Sequence, residues 1–122
     1  MANILVVDDD QPAAELFAAI LRHLGYHATS TCSGPAALEH IGTALPDLVI
    51  LDMMMPEMNG LEVLKRLRTD VKTARLPVVM FSALDDDEWR ERAVDAGAND
   101  YWIKGGFDAG ELEERVRSRL LA

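Results

Sequence analysis

Short apolar runs alternate with stretches of helical periodicity along the whole chain. Residues 4–7 form an aliphatic run cut off by Asp8, Asp9 and Asp10, which predicts a buried strand. Pro12 stands where the first turn of a helix tolerates it. Leu16, Ile20, Leu21 and Leu24 then recur on one predicted helical face, closed by Gly25. A weaker strand is predicted over 26–31. Ser33 caps a second helix, with Ala37, Leu38 and Ile41 on its inner side and Gly42 at its end. The run 48–51 is apolar throughout and stops at Asp52. Beyond Pro56 and the turn residues Asn59 and Gly60, Leu61, Leu64 and Leu67 mark a third helix, and Lys65, Arg66, Arg68, Lys72 and Arg75 read as a solvated helix face and loop. The run 77–81 ends at Ser82. Asp85, Asp86 and Asp87 put negative charge at the positive end of a fourth helix, where Trp89, Ala93 and Ala96 share a face and Gly97 ends it. The run 101–103 stops at Lys104. Asp108, with Glu111 three residues later, predicts a capped fifth helix carrying Leu112, Val116 and Leu120.

These are five strand–helix units. Strands apolar at every position are buried on both faces, which calls for a parallel sheet between layers of helices. Right-handed crossovers then lead to an α/β fold, a doubly wound five-stranded parallel sheet with helices on both faces. The expected strand order is 2-1-3-4-5, flavodoxin-like. The 122 residues suit one domain, expected to span 1–122 with no output domain in this chain.

Composition narrows the function. A 49% hydrophobic and 27% charged chain is globular in type. Its net charge of −9 sets it against phosphate backbones and anionic lipids, so direct nucleic-acid or membrane binding is not expected. Cys32 is the single cysteine, which excludes an internal disulfide and reads as a free structural thiol. Without a bilayer-length apolar segment or a leader before the first strand, a cytoplasmic protein is expected.

In an open α/β sheet the site lies beyond the carboxyl ends of the strands, at the switch point of strand order. Here those ends carry Asp8 and Asp9, Asp52, Ser82 and Lys104. The expected order makes the first and third strands neighbours, so three carboxylates converge in a shallow cleft. Crowded carboxylates need a cation or a raised pKa. Mg²⁺, a small hard ion with oxygen ligands, resolves the conflict and can bridge to a phosphoryl oxygen. One carboxylate is then a nucleophile toward phosphorus, with Lys104 and Ser82 stabilising the transferring oxygens. Taken alone, Asp8 to Asp10 could equally be a helix cap with acidic neighbours.

Val6-Val7-Asp8-Asp9, Leu51-Asp52-Met53-Met54-Met55-Pro56-Glu57-Met58-Asn59-Gly60, Phe81-Ser82-Ala83 and Tyr101-Trp102-Ile103-Lys104 occur in that order. Together they closely resemble the response regulator receiver domains (CheY-like) of two-component phosphorelay signalling. The resemblance implies that Asp52 is the phosphoacceptor. It implies that Asp9, Asp52 and the backbone carbonyl of Met54 hold Mg²⁺, with Asp8 helping through a water. Lys104 would pair with the phosphoryl oxygen, Ser82 would swing in to hydrogen-bond it, and Tyr101 would be the aromatic switch that follows Ser82. The donor would be a histidine kinase, a phosphotransfer protein or a small acyl phosphate. The readout would be a change in the face built by the fourth helix, fifth strand and fifth helix, seen by a downstream protein target. Such a domain catalyses only its own phosphorylation and hydrolysis, as a monomer or a weak phosphorylation-dependent dimer.

One stretch departs from that pattern. Where the family has Lys-Pro-Phe with a cis bond, this chain has Lys104-Gly105-Gly106-Phe107. A cis bond without proline costs roughly 3–4 kcal/mol, so a trans Lys104–Gly105 bond and a looser loop are expected. The main alternative is a receiver-like adaptor that binds partners without phosphorylation. A Mg²⁺-dependent phosphohydrolase is disfavoured by Met54, which stands where that chemistry commonly has a second acid. A flavin carrier is disfavoured by the acidic first loop.

Overall fold

The structure is a computed structural model describing residues 2–105 and 108–121. Its elements are β1 (Asn3–Val7), α1 (Gln11–His23), β2 (His27–Thr31), α2 (Gly34–Thr43), β3 (Leu48–Asp52), α3 (Gly60–Thr69), β4 (Val78–Ser82), α4 (Asp87–Asp95), β5 (Asp100–Ile103) and α5 (Ala109–Leu121). Every strand pairing is parallel, and the order is β2-β1-β3-β4-β5. The predicted fold class and strand order are both present.

Side chains alternate across a strand, so residue parity sorts the core into two layers. Leu5, Val7, Val49, Leu51, Val78, Met80 and Tyr101 face the side covered by α2, α3 and α4. Ile4, Val6, Leu48, Ile50, Val79 and Trp102 face the side covered by α1 and α5. Among the described residues, no helix is long and apolar enough to cross a membrane.

Local chemistry sets the helix starts. Asp10, Ser33, Asn59 and Asp86 each accept a hydrogen bond from the first helical turn. Asn59 and Glu62 form a reciprocal capping box, which the Asn59-Gly60 turn did not by itself suggest. Asp108 accepts from the Glu111 N–H at 2.9 Å, as their spacing predicts. α4 starts at Asp87 rather than Asp85, because Asp86 is the residue whose carboxylate caps it.

Two sequence expectations are corrected. Leu16 is 64% exposed, and the buried face of α1 is Ala14, Ala18 and Leu21. Leu16 lies about 200° around the helix from Ala14, on the solvent side; counting only large residues hid the alanines that seat α1 against the sheet. Arg68, expected on a solvated face with Lys65 and Arg66, is instead half-buried. Its guanidinium donates to Gly97 O at 3.0 Å, Thr73 O at 3.1 Å and Asn99 Oδ1 at 3.0 Å. Burial pulls its pKa below the usual arginine value. Asn99 Oδ1 also accepts from Val78 N at 2.9 Å, so Arg68 ties the end of α3 to the turn before β5 and the start of β4.

Candidate functional site

Register brings the acids together. Val7 pairs with Leu51, so Asp8, one residue further on, lies beside Asp52 at the end of β3. Asp8 is buried; its Oδ1 accepts from Asp10 N at 3.0 Å and its Oδ2 from Lys104 Nζ at 2.9 Å. Asp52 is 6% exposed and its Oδ1 lies 3.3 Å from the same Lys104 Nζ. Asp9 is exposed, yet ligand oxygens of Asp8, Asp9 and Asp52 all fall within 4.8 Å of one another.

The electrostatics follow from this crowding. Burial pushes the Asp52 carboxyl up from its usual 3.8 to about 6; the Lys104 charge opposes the shift and the Asp8 charge adds to it. Hydrogen bonds from Lys104 and the Met54 backbone N–H also oppose it. Burial pulls Lys104 down, but its hydrogen bond to Asp8 and the charges of Asp52 and Asp8 outweigh that and raise it. Three carboxylates against one ammonium leave an excess of two negative charges, which one divalent cation would neutralise. The donors are hard oxygens, the set that Mg²⁺ and Ca²⁺ prefer and that softer metals do not.

The loop after Asp52 is held close. Gly60 N donates to Met53 O at 2.9 Å, and a Cβ on Gly60 would sit 2.3 Å from Asp52 O. Only glycine allows α3 to begin this near the acid-bearing strand. Within the loop, Met58 N donates to Pro56 O at 2.7 Å across Glu57, whose φ of +66° lies in the left-handed region. This tight three-residue turn is a strained place for a residue with a side chain. Met54 is half exposed at the rim, while Met53 and Met55 pack in the core.

The other predicted residues lie along one chain of contacts. Ser82 is fully buried and its Oγ accepts from Leu84 N at 3.1 Å. Tyr101 is buried too, and its hydroxyl donates to Leu84 O at 2.7 Å. The Arg90 guanidinium lies over the Tyr101 ring, 5.1 Å from its centroid, and 3.4 Å from Asp85. Lys104 Nζ lies over the Phe81 ring at 5.6 Å.

Asp8, Asp9, Asp52 and Lys104 are therefore brought together, and Ser82 and Tyr101 are linked through Leu84. Glu57 and Arg90 were not singled out from sequence, and Gly60 was read only as a turn residue, not for its close approach to Asp52. Glu57 and Gly60 had a signal in the Pro-x-x-Asn-Gly turn; Arg90 had none, because its reach to Tyr101 exists only in the folded chain. There are no cis peptide bonds among the described residues, so Lys104–Gly105 is trans, with Gly105 at φ +77°. The rest of the expected looser loop, Gly106 and Phe107, lies outside the described residues.

Residues 4–117 match the sequence pattern of a family described as the response regulator receiver domain. The DNA-binding response regulator MtrA of Mycobacterium leprae is 41% identical over 97% of this chain and 51% of its own length. The chain thus spans about half the length of the curated relatives it matches. A putative response regulator from Chloroflexus aurantiacus superposes with a TM-score of 0.91 at 37% identity, covering 99% of this chain and 98% of that one. A BeF3-activated receiver domain, DrrB, superposes with a TM-score of 0.86 at 29% identity, covering 100% of this chain and 99% of that one.

Proposed function

Because this chain belongs to the response regulator receiver domain family of two-component systems, we propose that Asp52 is its phosphoacceptor and that the acid cluster holds Mg²⁺. The observation that carries the reading is the placement of Lys104 Nζ between Asp8 and Asp52, with Asp9 alongside. Asp8, Asp9, Asp52 and the Met54 carbonyl are the residues that would hold the ion. When bound, it would supply positive charge for the phosphoryl oxygens, which the carboxylates would otherwise repel.

The chain's own groups do the rest. An Asp52 oxygen attacks phosphorus in line, forming the acyl phosphate as the P–N bond of a phosphohistidine breaks. The electron pair leaves with the imidazole, which takes up a proton. With an acyl phosphate donor, the leaving group is the carboxylate. Lys104 follows the charge from the Asp52 carboxylate onto a phosphoryl oxygen, and the Ser82 hydroxyl donates to another. Burial of Asp52 keeps competing water away from the acceptor. Hydrolysis returns the free carboxylate, so the domain turns over no substrate but its own phosphate. The donor is a histidine kinase or phosphotransfer protein in the cytoplasm. The output is a change in the α4-β5-α5 face toward a downstream protein.

The test is intact-protein mass spectrometry after incubation with acetyl phosphate, with and without Mg²⁺, on the natural chain and on Asp52→Asn. One added phosphoryl group that requires both Mg²⁺ and Asp52 supports the reading. No addition under any condition, in a folded protein that does not bind Mg²⁺, supports the phosphorylation-independent adaptor.

A further inference from the structure

From the contacts around Tyr101 we infer that Arg90, fixed by Asp85, is a positioning residue that sets the readiness of Ser82 for a phosphoryl oxygen. The inference rests on the proposed phosphoacceptor reading and adds to it a control point on the surface of α4.

The path is a series of direct contacts. Asp85 Oδ1 lies 3.4 Å from Arg90 Nη2. The Arg90 guanidinium caps the Tyr101 ring at 5.1 Å. The Tyr101 hydroxyl grips Leu84 by its carbonyl at 2.7 Å, and Leu84 N–H donates to Ser82 Oγ at 3.1 Å. A serine hydroxyl has one proton and two lone pairs. Leu84 N–H occupies one lone pair and leaves the proton available to donate. As long as Tyr101 holds Leu84, Ser82 stays turned into the donor geometry that a phosphoryl oxygen requires. If Tyr101 leaves, Leu84 is released and Ser82 loses the contact that orients it.

Arg90 and Asp85 are the parts of this path that reach solvent. The ring that Arg90 covers is otherwise buried, and a cation over an aromatic face disfavours rotation of that ring away from it. The Asp85 carboxylate restricts where the guanidinium can go. Neither residue touches the acid cluster. An effect that passes through Tyr101 is separable from a direct electrostatic one by removing the tyrosine hydroxyl.

BeF3⁻, which stands in for the phosphoryl group on Asp52, is the probe, titrated at saturating Mg²⁺ and followed by ¹⁹F NMR. Arg90→Ala is expected to weaken its binding about two- to fivefold, the size of one partly exposed cation–π contact. Arg90→Lys should recover part of the loss, because an ammonium can still lie over the ring. Tyr101→Phe keeps the ring but loses the grip on Leu84. In that background Arg90→Ala should cost nothing further, the signature of coupling through one path. Unchanged binding in Arg90→Ala overturns the inference, as does an equal loss with and without the tyrosine hydroxyl. A natural chain that fails to bind BeF3⁻ overturns the phosphoacceptor reading instead. The contact path is then still decided by ¹⁵N NMR without ligand, where Arg90→Ala should shift the Ser82 and Leu84 amides and leave α1 and α2 unmoved. Silence at those two amides overturns it.

Discussion

Asp52 is a buried carboxylate with one cation and one like charge beside it, and its ionisation works against the fold. The folded pKa of about 6 lies above the unfolded 3.8, so protons bind the folded state more tightly. Its contribution to stability is therefore full below pH 3.8 and is lost as pH rises through about 6. In EDTA, Asp52→Asn should match the natural chain near pH 4. It should exceed it by about 2 kcal/mol at pH 7, since a shift of this size corresponds to a few kcal/mol at most. Urea unfolding at several pH values measures this, and added Mg²⁺ should shrink the gap. Lys104→Met removes the ammonium at similar length. It should slow phosphorylation by acetyl phosphate roughly ten- to a hundredfold, the worth of a charge-assisted hydrogen bond in the transition state. Rates by mass spectrometry test it. At this scale the sequence was most legible where a strand ended: Asp8, Asp52, Ser82 and Lys104 each follow an apolar run. Arg90 was illegible because no local pattern records which helix residue will lie over an aromatic ring from another strand.

Elements place those residues, and small backbone facts decide how closely. Alanine in a helix normally improves on glycine by about 1 kcal/mol. Gly60→Ala should do the reverse, losing roughly 1–3 kcal/mol, because its Cβ would press on Asp52 O and force α3 off the strand. Glu57→Gly in the adjoining turn should gain about 0.5–1 kcal/mol by relieving the left-handed conformation. Paired urea curves with both variants would show opposite signs three residues apart. Arg68→Met is expected to cost about 2–4 kcal/mol, because Gly97 O, Thr73 O and Asn99 Oδ1 each lose a guanidinium donor, the last two keeping a backbone N–H. Hydrogen exchange should quicken first at Val78. Helical periodicity identified α1 but not its buried side, since Ala14 and Ala18 count for little on any hydrophobic tally while Leu16 counts for much. Arg68 looked like its solvated neighbours for the same reason: charge pattern is a property of the helix, whereas burial depends on what packs over it.

At the scale of the molecule, strand order follows from a few rules that hold across α/β proteins. Four apolar runs and a weaker fifth strand demanded two helix layers, and the acids at two strand ends fitted a switch point between them. What those rules could not supply was the 4.8 Å grouping of Asp8, Asp9 and Asp52, which depends on the β1–β3 register. A ligand that binds only the folded chain stabilises it by mass action, about 2.7 kcal/mol at a hundredfold excess over its Kd. Mg²⁺ should accordingly raise the melting temperature, with EDTA reversing the gain and Asp9→Asn reducing it. No rise at any concentration would count against the acid cluster as the ion's seat.

Lys104 meets Asp8 across 96 residues of sequence, from the last strand of the sheet to the first. On a ribosome, β1 and β3 emerge well before β5. A chain at that stage can align Asp8 with Asp52, but it lacks the ammonium that lets both stay ionised side by side. The two acids repel unopposed until the final strand arrives, and its docking sets the Lys104 attraction against that repulsion. A half-made chain would thus be a poor phosphoacceptor, and competence would come only with closure of the sheet. The same ion pair that prepares the chemistry would keep signals from being written onto unfinished protein.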